Sequence, residues 1–477
     1  MDVQPPLAPQ APPVPHPIHI AAAVDHGAPH RPPAPPVPMA RFPDESRLLG
    51  SAREFMRNGL AFYEKCERIA GIVETRIAYK PLYVVTHPTA IEDVLCTHAH
   101  SFVKPFVLRR MKLLFGNGLL TAEGDQWMHN RHLVQPAFRS ERMPHFIDYV
   151  RDDTEEMAAS WRDGEIRDVY PELADLCLKN LARTMFGVYD DELEHRVRAL
   201  ASACQGLVHA IFGAAVPLLP LLYPSRLKRQ VNKALRDLDA YLARLIEERR
   251  REPPRDDFLG LLLQGAGPHH PPMSRQAVLD ESVTMLLAGH ETAAAALVWC
   301  LYLLARHPEQ ANRLAADLQV HLKGAAPAIA DLDGLPTLRA TLDESLRLYP
   351  PTHRIGRSVR EPVVIGGHAL PVGADVSLPQ WAVHRSAKWY DRPLEFRPER
   401  WTPEFRHTLP KFAYFPFSGG PRACVGTHFV WFEAVVVLGV LAQRFRFSRS
   451  DDAPLVPYEG LTLLPDGGKL KLRISRR

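Results

Sequence analysis

Paired cysteines are what this chain most plainly lacks. Its six stand at positions 66, 96, 177, 204, 300 and 424, with no CxxC and no CxxCH. That spacing offers no zinc site, no covalently attached c-type haem and no disulfide framework. Single thiols suit a reducing compartment. Residues 1–30 carry no basic start followed by an apolar core, so no secretory signal is read there. No unbroken run of about 18 apolar residues occurs. The nearest candidate, "GLVHAIFGAAVPLLPLLY" at 206–223, contains His209, Pro217 and Pro220. A net charge of only +4 on 477 residues speaks against a dedicated nucleic-acid binder. Together these absences predict a soluble, cytoplasmic protein without a membrane anchor.

Proline, by contrast, is plentiful and unevenly spread, with 14 of the 45 in residues 1–43. Such a segment favours extended polyproline conformations and buries little. A disordered or loosely docked tail is therefore expected over 1–43, and one large domain over 44–477. Helical patterns dominate that domain. "SRQAVLDESVTMLLAGHETAAAALVWCLYLLARHP" opens on Ser274 as a cap and stops before Pro308, predicting a rod about 48 Å long. "LPTLRATLDESLRLYPP" places Leu335, Leu338, Leu342, Leu346 and Tyr349 on one stripe, ended by Pro350 and Pro351. Strand signals are short and few: "AYKPLYVVTHP", the stretch 358–378 and "KLKLRIS". The expected fold class is mainly α with a minor β part.

Chemistry-bearing residues gather in four places. In the long helix, Gly289 costs roughly 1 kcal/mol against alanine, and His290, Glu291 and Thr292 follow it. A glycine there would let a flat ligand or O2 approach the backbone, and Thr292 can bond back to a carbonyl. A helix crossing a wet interface reads the same way. Glu344 and Arg347 in "ESLR" stand at i and i+3, a spacing that most often gives a weak surface pair. Arg400 in "FRPERW" offers a second cation, and a buried trio would fix the geometry of the loops around it. Trp127 and Arg131 in "WMHNRHL" offer an indole N–H and a guanidinium to one carboxylate, or else stack on each other.

The fourth place is "FPFSGGPRACVG", which presents Cys424 just ahead of the apolar "FVWFEAVVVLGVLAQRF". An isolated buried cysteine is usually inert packing. Here Gly419 and Gly420 permit a tight turn whose amides can face the sulfur, and Gly426 lets a flat partner lie close. A helix start favours the thiolate, and Arg422 can pair with an acid on the same partner. A thiolate, a flat partner and several donors to carboxylates describe a haem site, where thiolate ligation favours O–O cleavage.

In this order the motifs resemble the cytochrome P450 family. "FPFSGGPRACVG" fits F-x-x-G-x-R-x-C-x-G without mismatch, "AGHET", "ESLR" and "FRPERW" precede it, and "WMHNR" supplies W-x-x-x-R. The resemblance covers about residues 45–477. It implies a single helical prism with haem b between the long central helix and the cysteine loop. Cys424 would be the axial metal ligand. Trp127, Arg131, Arg357 and Arg422 would bind the propionates, and Phe417 and Gly426 would complete the cofactor site. Glu291 and Thr292 would be the catalytic acid–alcohol pair that delivers protons to dioxygen, while Glu344, Arg347 and Arg400 would be structural.

The implied function is a monooxygenase that hydroxylates or epoxidises a lipophilic small molecule such as a terpenoid, steroid or fatty acid. It would use O2 and NAD(P)H electrons passed through a separate ferredoxin or flavodoxin with its reductase, and it would act as a monomer. By family position, 102–120, 206–223, Ala288, Thr292, 350–355 and 460–465 would line the substrate cavity. A peroxide-using peroxygenase is the alternative within enzymes; the intact Glu291–Thr292 pair speaks against it. A non-catalytic haem sensor or electron carrier would need no proton relay.

Overall fold

The longest helical pattern forms the axis of the fold. Arg275–Arg306 is one α-helix of 32 residues, started by Ser274, whose side chain accepts from the Ala277 N–H. Its length and apolar character would suffice to cross a membrane, yet 78% of the most apolar window is buried inside the protein. It is a core helix. The computed structural model describes residues 35–477 apart from 44, 214–224, 266–270, 451–454 and 466–467.

Val169–Phe186, Pro336–Leu348 and Thr427–Arg444 pack against the central helix. Leu297, Val298 and Leu301 of the central helix join Leu173, Leu338, Leu342, Val437 and Leu441 in the main core. Each such side chain stabilises the fold by about 1.5–3 kcal/mol when fully buried. Trp299 adds direction: its indole donates to the Leu463 carbonyl at 2.8 Å. Its ring stacks on Tyr349 with centroids 4.0 Å apart. The helix is thereby tied to the hairpin Pro457–Glu459/Leu463–Pro465 and to the end of Pro336–Leu348.

The largest sheet has six strands in the order Met39–Arg41, Ile72–Ile77, Lys80–Val85, Asp375–Leu378, Ile355–Val359 and Phe102–Val103. Met39–Arg41 is a finding that the proline-rich composition concealed. It pairs in parallel with Ile72–Glu74, and its neighbours Val37 and Phe42 are buried. Proline at an edge costs no ladder bond there. Pro38 contributes its carbonyl, which accepts from the Ile72 N–H at 3.1 Å. The tail expected over 1–43 therefore overlaps the folded unit, which begins at Pro35. Residues 1–34 lie outside the described residues.

The Glu344 trio is no surface pair. Glu344 and Arg347 are both 0% exposed and form a two-pronged ion pair at 2.8 Å. Arg400 Nε, Trp401 Nε1 and the Arg397 N–H also donate to the carboxylate, at 3.0, 2.9 and 2.9 Å. Arg347 in turn donates to the carbonyls of His384 and Pro393. A helix end and the loops at 384–401 are thus fixed to one buried carboxylate, upstream of the cysteine loop.

Candidate active site

Close backbone approach shapes the cysteine loop. Gly420 has φ +66°, and a Cβ on it would run into the Leu95 carbonyl, while one on Gly419 would strike the Phe412 ring. Neither position admits a side chain. The Cys424 N–H donates to the Phe417 carbonyl at 3.0 Å, closing the loop just before Thr427–Arg444 begins. The Phe417 ring lies 6.4 Å from that of Trp431.

Cys424 is exposed although it lies deep in the fold, so its side chain faces open space rather than packing. Burial pushes its thiol up, while the Gly426 N–H, the Thr427 hydroxyl and the Arg131 guanidinium favour the thiolate. The amide facing the sulfur is that of Gly426. Gly419 and Gly420 stand in the turn packed against Phe412 and Leu95. A Cβ on Gly426 would stand 4.0 Å from the sulfur, so glycine keeps that flank clear.

The central helix carries a matching irregularity. Ala288 is exposed, although residues 281–286 and 293–300 are buried. One turn on, Thr292 is half-buried, and its hydroxyl donates to the Ala288 carbonyl at 2.8 Å. Gly289 has another purpose than the one expected: a Cβ there would come within 2.7 Å of Leu181 Cδ2. Its missing side chain admits the neighbouring helix, and Ala288 is the small residue on the open face. Glu291 points elsewhere, accepting from Gln205 Nε2 at 2.7 Å, and burial pushes its carboxyl up.

The predicted propionate residues form a cationic cluster with a member that the motifs do not reveal. Arg422 bonds Glu123 at 2.6 Å, and its guanidinium lies over the Trp127 ring at 5.5 Å. Trp127 thus stacks with Arg422 rather than with Arg131. Arg131 instead donates to the Ala423 carbonyl at 2.7 Å, beside Cys424. Arg357 is buried and donates to the Gly356 carbonyl; desolvation, then Arg422, hold it down to about 10. The added member is Lys104, buried, with its ammonium on the carbonyls of Leu119 and Ala122 at 2.8 and 2.5 Å. Burial holds Lys104 down to about 7. Its signal in the sequence was a single lysine inside the apolar "SFVKPFVL".

Lys104, Arg357 and Arg422 share the carboxylate of Glu123. The next acid, Glu281, is itself pushed up to about 7 by burial, so it is only partly ionised at neutral pH. Buried cations short of counter-charge attract acids, and haem carries two. With an open thiol nearby and a glycine flank beside it, the residues present fit that group. Of the expected cavity segment 206–223, residues 214–223 lie outside the described residues. Arg110 turns onto the Phe106 ring at 4.9 Å.

Comparison with known proteins agrees. The chain matches the cytochrome P450 family over residues 47–472. It is 31% identical over 421 residues to a cyclooctatin synthase of Streptomyces melanosporofaciens, covering 87% of this chain and 91% of that one. It is also 31% identical over 434 residues to a pentalenene oxygenase of Streptomyces avermitilis, covering 90% and 96%. The crystal structure of the cytochrome P450DA heme domain superposes with a TM-score of 0.80 at 25% identity, covering 93% of this chain and 98% of that one. The chain therefore belongs to the cytochrome P450 monooxygenases, a family that implies a haem-thiolate cofactor, separate electron donors and a small-molecule substrate.

Proposed function

We propose that this protein hydroxylates or epoxidises a terpenoid, with haem b held by Cys424 and electrons delivered from NAD(P)H by a ferredoxin or flavodoxin. The observation that carries the reading is an open thiol in the middle of the fold, beside buried cations that lack enough counter-charge. Relatives that oxidise terpenoids support the substrate class. So does the apolar character of the open helix face around Ala288. Haem bound through a thiolate supplies reductive activation of O2 and insertion of one oxygen atom.

The chain's own residues do the rest. Trp127, Arg131, Arg357, Arg422 and Lys104 orient the cofactor's acids; Phe417 and Gly426 shape its thiolate side. Thr292, whose hydroxyl donates to the Ala288 carbonyl, holds a proton on the open helix face, and Glu291, which accepts from Gln205, is the acid that replaces it. Steroid and fatty-acid substrates remain in the same lipophilic class. The protein works as a cytoplasmic monomer. The test is Thr292→Ala, assayed with a cyclic terpene hydrocarbon. Cavity shape hardly changes, so binding persists. Product per NAD(P)H is expected to fall much more than NAD(P)H consumption, because the assisted proton step loses a factor of about 10²–10⁴. Full coupling in the variant contradicts the relay.

A further inference from the structure

The hairpin Pro457–Glu459/Leu463–Pro465 is a two-stranded sheet of its own, with three residue pairs. So small a sheet is marginal alone, and its place depends on what holds it. Its second strand packs on the central helix and is held through Leu463. The Leu463 N–H donates to the Pro351 carbonyl, and its carbonyl accepts from Trp299, both at 2.8 Å. Its first strand is held through a side chain. Glu459 Oε1 accepts from the Leu60 N–H at 3.1 Å, at the start of the helix Gly59–Ile69.

That helix start is shaped for the carboxylate. The first N–H groups of a helix find no partner inside it, and negative charge beside them is favoured. Asn58 caps one of them, accepting from the Ala61 N–H at 2.9 Å. Glu459 serves the two before it. Burial pushes its carboxyl up, while the Leu60 N–H, the Arg354 guanidinium and the Gly59 N–H favour the carboxylate. Gly59 makes the room, because a Cβ there would stand 2.5 Å from Glu459 Oε2. Arg354 is itself fixed, donating to the Tyr63 hydroxyl at 3.0 Å and lying over the Phe55 ring.

We propose that Glu459 is a positioning residue for substrate fit. Docked on this helix start, it sets how far the turn 460–462 reaches toward the central helix, and with it the size of substrate admitted. The proposal rests on the monooxygenase reading above, which makes the space along the central helix the substrate's. The turn borders that helix beside Glu291. Within it Thr462 is buried and Leu461 is exposed, so a small shift of the turn changes which of them faces inward. Without Glu459 the turn gains freedom. A ligand that packs against it must then order it again and binds more weakly. A small ligand that stays clear of the turn is unaffected.

Substitutions on two separate elements test this in the full-length holoprotein. Glu459→Ala removes the carboxylate. Gly59→Ala displaces it and leaves the hairpin sequence intact. Hydrogen exchange read by mass spectrometry should speed up over 455–465 in both variants and stay as in the parent over 293–304. Binding is read from the Soret shift with two probes, imidazole and an imidazole bearing a biphenyl group. Both alanine variants should bind the biphenyl probe several-fold more weakly and keep the parent's affinity for imidazole. Glu459→Gln, which retains an acceptor for the Leu60 N–H, should recover most of the loss. The double variant should be no worse than Glu459→Ala, since both act on one contact. Equal weakening of both probes would make Glu459 merely structural and overturn the proposal. So would unchanged exchange over 455–465, or faster exchange with the biphenyl affinity intact. A parent protein without any Soret shift on imidazole would count against the haem reading instead, and hydrogen exchange would still judge the docking of Glu459.

Discussion

Lys104 shows at the scale of one residue what burying a cation costs the fold. Its ammonium is held down to about 7 from an ordinary 10.5 by burial. Between those values the folded, haem-free protein binds fewer protons than the unfolded chain, so on this residue's account its stability rises with pH. Lys104→Met should flatten that slope and stabilise the haem-free protein at pH 7, yet weaken haem retention, because an anion partner is lost. Denaturant titrations across pH, paired with haem transfer to an acceptor protein, read both effects. Equal weakening of both forms would mean that Lys104 is merely structural. Arg347→Ala tests the other buried charge cluster and should cost about 3–5 kcal/mol by removing one of the two buried cations on Glu344 together with the donors to the His384 and Pro393 carbonyls, read as a lowered denaturation midpoint. At this scale the sequence was legible where a motif carried several residues at once, as around Cys424 and Glu344. Lys104 acts through Leu119, Ala122 and Glu123 in the next loop, and only its place inside an apolar stretch marked it.

Elements were legible in proportion to their periodicity. The central helix begins and ends where Ser274 and Pro308 predict, because capping and proline chemistry are local. Met39–Arg41 was not legible, since its pairing depends on a strand more than thirty residues away and its neighbours are prolines. Removal of residues 1–34 should leave the thermal midpoint of the holoprotein nearly unchanged. Removal of 1–43 should lower it by several degrees through loss of Val37, Phe42 and the edge pairing. Equal midpoints would show that the edge strand contributes nothing. Gly289→Ala makes the parallel point inside the central helix. Higher helix propensity is outweighed by the contact with Leu181, so a loss of about 1–3 kcal/mol is expected. A gain in stability would return Gly289 to the role of clearing space for a ligand.

Over the whole molecule, the cations in the segments that frame the cysteine loop differ in where they face. Arg131 and Arg422 turn inward to Ala423 and Glu123. Arg139 is exposed, Lys411 is exposed but paired with Glu92 at 3.1 Å, and Arg339 lies over the Trp431 ring, which neighbours Phe417. An acidic ferredoxin or flavodoxin approaching this face should be steered by Arg139, Lys411 and Arg339. Stopped-flow reduction should slow as salt rises toward about 1 M, where the Debye length falls to about 3 Å. Arg139→Glu with Arg339→Glu should slow it further and remove most of the salt dependence. Reduction indifferent to both would place the docking surface elsewhere.

The proposed chemistry depends on Cys424 as the thiolate that holds haem. The most direct measurement is the absorption spectrum of the dithionite-reduced protein under carbon monoxide, compared between the parent, Cys424→Ser and Cys300→Ser. Cys300 is fully buried in the core and its thiol is pushed up to about 12, so it is the proper control. The parent and Cys300→Ser should show the strongly red-shifted Soret band of thiolate-bound haem, and Cys424→Ser should lose it. Retention of that band in Cys424→Ser, or its absence from the parent, would contradict the assignment.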